Sequence, residues 1–168
     1  SGTNPVVTMR RSTSAGNPII SCANMNCTGF TGSFTGSDKN WNYINVYGDL
    51  TLAGGGVNLN SAINVSLVNQ GAVTQNITSN GSKLGFLVLN GGTSTTYKFL
   101  DDFSTWIDAN QTGYHIDLYQ GTLDANNKNI STNYFRVIGP SAKNILMGSG
   151  TWTLAGGSAG TNAVPTIW

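Results

Sequence analysis

The stretch "YHIDLYQGTLDANNKNISTNYFRVIG", Tyr114 to Gly139, decides the fold. Apolar residues alternate from Tyr114 to Tyr119, a Gly-Thr-Leu follows, an Asn-rich corner comes next, and the alternation restarts at Tyr134. Alternation with period two belongs to a strand with one buried face. Gly and Asn between such runs mark sharp corners, because both tolerate left-handed backbone. The stretch is a unit of strand, corner, strand, corner.

Working outward, the same unit recurs. It is found in "YINVYGDLTLAGGGVNLN" (Tyr43 to Asn60), "INVSLVNQGAVTQNIT" (Ile63 to Thr78), "LGFLVLNGGTSTTYKFLDDF" (Leu84 to Phe103) and "YFRVIGPSAKNILMGSGTWTL" (Tyr134 to Leu154). With Ile44, Val65, Phe86, Ile116 and Phe135 as equivalent positions, the steps are 21, 21, 30 and 19 residues. The long step contains "STWIDANQTGY", which reads as an inserted loop. Alternation places Ile44, Val46, Leu50 and Leu52 on one face; Ile116 and Leu118 point inward, and His115, Asp117 and Tyr119 outward.

A period near 20 with two or three short strands per unit predicts an all-β parallel β-helix, or β-solenoid, of about five or six coils. Each coil stacks on the one below, and the inward residues join into a thin continuous core. The Gly clusters at Ala53–Gly56, Asn90–Gly92 and Ala155–Gly157 fall where corners are needed. A β-sandwich is the alternative, since it also has short strands and regular turns. Residues 1–18 read as a linker or amino-terminal cap, and residues 19–168 as the solenoid. The end, "GTWTLAGGSAGTNAVPTIW", reads as the beginning of a further coil, so the chain is expected to be a segment of a longer one.

Composition agrees. Charged residues are 9% of the 168, against roughly 25% in ordinary globular domains. There is no glutamate, and all seven acidic residues are aspartates. Helix-surface residues are scarce, and Asn, Gly, Ser and Thr replace them. A net charge of +1, with Arg10-Arg11 as the only adjacent basic pair, argues against nucleic acid as a partner. No apolar run reaches the ~20 residues of a membrane helix, so no membrane insertion is expected. A surface kept soluble by Asn, Thr and Ser suggests a secreted or surface-displayed protein. Cys22 and Cys27 in "SCANMNCTGF" are then either a disulfide closing a tight loop or two small buried hydrophobes. With His115 as the sole histidine and no third cysteine, neither a metal site nor a cofactor is expected.

Taken in order, "SCANMNCTGFTGSF", "NVYGDLTL", "KLGFLVLNGG", "YKFLDDFS", "GTLDANNKNIST" and "GTWTLAG" resemble the repetitive β-solenoid stretches of large secreted bacterial surface and adhesin proteins. Similar stretches occur in phage tail fibres. The resemblance covers roughly Ile19 to Leu154. It implies a right-handed parallel β-helix serving as a stalk or adhesive repeat, partnered by neighbouring repeats or subunits and by surface glycans. It brings no catalytic residues, and no enzyme is expected.

Three groups of residues bear on chemistry. Glycoside hydrolysis by a polysaccharide-degrading enzyme needs two convergent carboxylates. Asp101-Asp102 is the only adjacent pair, and neighbours in a strand point oppositely, so a solvated corner is the plainer reading. His115 and Asp117, two apart on one strand face, are either a base oriented by a carboxylate or an ordinary surface pair. Aromatics beside Asn, Asp and Gln suit a glycan-binding surface, because sugar rings stack on them. Trp41, Tyr43, Trp106, Tyr114 and Tyr119 are the candidates; the alternative is that each covers a core end or a corner.

Overall fold

The computed structural model of the chain describes residues 6–9, 19–36, 42–54, 58–59, 63–107 and 114–156. None of them is helical, and no helix is long and apolar enough to cross a membrane. The chain winds into a β-solenoid of about five turns.

Three strands make one turn. The first flank is a six-stranded sheet of β2 (Ile19–Cys22), β5 (Asn42–Val46), β8 (Ile63–Leu67), β11 (Phe86–Leu89), β14 (His115–Leu118) and β17 (Tyr134–Val137). The second is another six-stranded sheet: β3 (Met25–Asn26), β6 (Leu50–Thr51), β9 (Thr74–Thr78), β12 (Thr96–Phe99), β15 (Gly121–Asp124) and β18 (Lys143–Leu146). The third flank has two parts. One is β1 (Val6–Met9), β4 (Ser33–Gly36) and β7 (Asn58–Leu59); the other is β10 (Lys83–Leu84), β13 (Phe103–Thr105), β16 (Ile130–Thr132) and β19 (Trp152–Leu154). Every pairing among the described residues is parallel. That excludes the β-sandwich, whose sheets are antiparallel.

On the first flank the inward row is Ile20, Ile44, Val65, Leu87, Ile116 and Phe135. Its steps are 24, 21, 22, 29 and 19 residues. The sequence expectation is corrected at one position. Leu87, fully buried, takes the inward place, and Phe86 pairs with Asn64 and His115 on the outer side. In "GFLVL" every residue of the strand is apolar, so alternation cannot choose the register, and a one-residue slip exchanges the faces. The other inward assignments hold: Ile44, Val46, Leu50, Leu52, Ile116 and Leu118 are all buried in one core with Tyr97, Phe99 and Phe103. The longest step, Leu87 to Ile116, spans the connection from β13 to β14, where the inserted loop was expected.

Corners are held by side chains that reach between coils. Asn24 Oδ1 accepts the Asp49 N–H at 2.8 Å, and Asp49 Oδ1 accepts the Asn76 N–H at 2.7 Å. Further on, Asp102 Oδ1 accepts the Asn129 N–H at 2.9 Å, and Asn129 Oδ1 accepts the Thr151 N–H at 2.9 Å. These four side chains thus satisfy the backbone of the coil above, where the chain leaves the ladder and its amides need partners. Asn80, Asn126 and Asn127 adopt positive φ of 50°, 51° and 60°. Asn does so more readily than other side-chain-bearing residues. This is why Asn recurs at the corners of the sequence.

Candidate functional site

The outer side of the first flank is not a plain solvated surface. One outward row is Tyr43, Asn64, Phe86, His115 and Tyr134; the next is Asn45, Ser66, Val88, Asp117 and Arg136. Val68, Asn90 and Tyr119 follow just past the strand ends. All of these except Tyr134 line a groove of about 640 Å³ that runs across β5, β8, β11, β14 and β17. Its floor is polar yet covered: Asn64 is 5% exposed, Ser66 5% and Asp117 3%.

At one end of the groove, Asp117 holds two partners. Arg136 donates to it in a bidentate arrangement, with Nε to Oδ1 at 2.7 Å and Nη2 to Oδ2 at 2.7 Å. His115 Nε2 lies 3.1 Å from Oδ2. Burial acts most strongly on the Asp117 carboxyl and pushes its pKa up. The hydrogen bonds and charges of His115 and Arg136 together outweigh burial and hold the pKa below its ordinary value. The Asp117 bond raises the pKa of Arg136 against the opposing effect of burial. Arg136 Nη2 also lies 2.7 Å from His115 Nε2. One ring nitrogen cannot accept from the guanidinium and donate to the carboxylate at once. Which of the two contacts Nε2 makes follows the tautomer of the ring. The ring stands edge-on to Phe86 at 4.6 Å between centroids. The side chains of His115 and Asp117 are 13% and 4% exposed, so this is a covered cluster rather than a surface pair.

Arg136→Ala is expected to destabilise the module by about 2 kcal/mol at neutral pH. This is below the figure for a wholly buried pair, because Arg136 is 51% exposed while Asp117 is 4%. The sign with pH follows from the lowered pKa of Asp117. Its contribution to stability is full above the unfolded carboxyl value of about 3.9 and is lost as pH falls through the lower folded value. In the variant the carboxyl is buried without the guanidinium, so the deficit shrinks as acid neutralises it. Thermal melts of both proteins from pH 7 to pH 3 check this: the gap in Tm narrows on acidification. A gap that is constant with pH would mean that the loss is one of packing.

The remaining sequence candidates fall elsewhere. Tyr43 and Tyr119 line the groove. Burial, then Tyr119 and Asp117, raise the pKa of the Tyr43 hydroxyl, which therefore stays protonated. Tyr114 is buried at 8% exposure, with its ring 6.2 Å from that of Phe86, so it supports the groove from within. Trp106 lies apart, its amide on the Leu84 carbonyl and its ring beneath Lys83 Nζ at 5.7 Å. Trp41 lies outside the described residues. Sequence reasoning missed Phe86, Arg136 and the carboxamides Asn45, Asn64 and Asn90.

Asp101 and Asp102 diverge. Asp101 accepts from the Ser79 N–H at 2.8 Å and the Asn80 N–H at 2.6 Å in the coil below. Asp102 accepts from the Asn129 N–H and Nδ2 in the coil above, each at 2.9 Å, and these bonds lower its pKa. The pair is a structural corner. Cys22 and Cys27 stand as free thiols. Cys22 ends β2 on the first flank and Cys27 follows β3 on the second, and both pack against the core. Burial raises the pKa of each, so they behave as small apolar side chains. Among the described residues no three His, Cys or Asp side chains come together as a metal-ion set.

No family model, curated protein or solved structure matches the chain. The class of protein is set by the fold: this is a β-solenoid module of stacked repeats.

Proposed function

We propose that the module is a stiff structural and adhesive repeat of a secreted, surface-displayed protein. The observation that carries this reading is the two-level locking of the coils. Continuous parallel ladders run along the first two flanks, and corner side chains bond each coil to the next. Force along the rod is then shared by many bonds, and no single coil can open alone. The near-absence of charge and the resemblance to bacterial surface repeats support the extracellular setting.

Its natural partners are neighbouring repeats of the same kind. The strands β17, β18 and β19 are the last of their sheets among the described residues, and Leu146 and Met147 are exposed beside them at 54% and 43%. An edge of this kind is a template for a further coil. The core closes within one chain, with Leu87, Leu89, Leu118 and Tyr97 fully buried, which favours a single-chain rod over an interwound fibre trimer. The module carries no reaction of its own in this reading. Asp101 and Asp102 are occupied in holding corners.

The test is labelling of intact source cells with an antibody raised against the purified module, next to electron microscopy of the module itself. Labelling of intact cells and single rods in the micrographs support the reading. Labelling only after the cells are opened would overturn the surface assignment, and compact globules would overturn the rod.

A further inference from the structure

The groove over the first flank has a chemistry that the rod does not use. We propose that it binds a neutral oligosaccharide chain lying along the solenoid axis. This rests on different residues from the structural reading and stands or falls separately from it.

Three observations carry the proposal. The first is charge. The one carboxylate in the groove, Asp117, is paired to the one guanidinium, Arg136, at 2.7 Å on both oxygens, and no lysine lines the groove. A polyanion would meet no unpaired fixed cation, and a cationic ligand no unpaired anion. What remains is carboxamide and hydroxyl: Asn45, Asn64, Ser66 and Asn90, groups that both donate to and accept from sugar hydroxyls. The Asp117 cluster holds the end of the groove rigid, as a binding site requires.

The second observation is the placing of the aromatic rings. Tyr43 stands on β5, Phe86 on β11, and Tyr119 follows β14, so the rings sit at several levels of one groove. Sugar rings present apolar faces that stack on such side chains, while the tyrosine hydroxyls bond outward.

The third is the repeat. Neighbouring strands are about 4.8 Å apart, close to the rise of one ring in an extended β-1,4-linked glycan. The groove crosses five strands, a span of about 19 Å, enough for about four rings with one near each coil level. A peptide strand is disfavoured as occupant. Strand addition needs a free sheet edge, whereas β5, β8, β11 and β14 beneath the groove are each paired on both sides, and only β17 at its end has a single neighbour among the described residues.

The test is a nuclear magnetic resonance titration of the full chain with cellohexaose, mannohexaose, chitohexaose and, as the acidic counterpart, hexagalacturonate. The expected result is saturable movement of the β8, β11 and β14 amides with at least one neutral hexaose, unchanged by added salt. Tyr43→Ala and Tyr119→Ala should each weaken binding about tenfold with the amide spectrum otherwise preserved. Asn90→Ala, at an exposed position, should weaken it without any loss of folding should either tyrosine variant unfold. Silence of the groove amides to all three neutral hexaoses at millimolar concentration would overturn the proposal. So would preferential, salt-sensitive binding of hexagalacturonate.

Discussion

Leu87→Ala is expected to cost about 3–4 kcal/mol, whereas Phe86→Ala, one residue earlier, costs about 1 kcal/mol. Leu87 is fully buried between Val65 and Ile116 in the inward row. Leu87 shares its coil's core with Leu84, Leu89, Tyr97 and Phe99, all fully buried, so its truncation leaves a cavity among side chains already held by the ladders. Phe86 is half-buried on the other side of the same strand, where its losses are edge contacts with His115 and Tyr114 at 4.6 Å and 6.2 Å. Denaturant titration of the two variants settles the register directly. If Phe86→Ala proved the more damaging, the strand would be slipped by one residue. The groove would then be lined by Leu87 and Leu89 instead of Phe86 and Val88.

The second large effect is at a corner. Gly121→Ala is expected to destabilise by about 3–4 kcal/mol, combining backbone strain with a steric clash. Gly121 opens β15 with φ of +89°, a conformation that side-chain-bearing residues rarely adopt. A Cβ there would stand 2.5 Å from the Thr95 carbonyl oxygen and 3.0 Å from that of Gly92. Neither atom can retreat cheaply, because the Thr95 carbonyl accepts the Thr122 N–H at 2.8 Å and the Gly92 carbonyl accepts the Thr95 N–H at 3.0 Å. Thermal melting and amide exchange check the prediction, with lost protection centred on Thr95 and Thr122. Gly139→Ala is the control: its φ is +78° but nothing lies within 4 Å of its Cβ position, so it should carry the strain alone, about 1–2 kcal/mol.

How much of this was legible follows from what alternation can and cannot encode. Where polar and apolar residues truly alternate, as in Ile44–Val46 and Ile116–Leu118, the inward rows are readable directly. In Phe86–Leu89 the pattern is silent, because a strand with rings above and core below is apolar on both sides. The groove was partly within reach. The 19-residue step from Ile116 to Phe135 also carries Asp117 onto Arg136, which is the ion pair, but it shows only when the unit is laid on its neighbour. Asn64 and Ser66 point outward yet are buried in the groove floor, which alternation cannot show. The roles of Asp101 and Asp102 needed the coils below and above, since each bonds about one turn away in the chain. The spacing of the two cysteines leaves both readings open, because it cannot tell that the chain turns from one flank to another between them.

The long connection from β13 to β14 separates two quantities that are usually tied together. The step from Leu87 to Ile116 takes 29 residues and the next takes 19, yet both advance the coil by one level in unbroken register. The climb of the spiral is therefore indifferent to how much chain is spent at this corner. The corner lies just before β14, which carries His115 and Asp117. The two steps thus place the difference in chain length beside the groove, while the stacked ladders on either side keep one register.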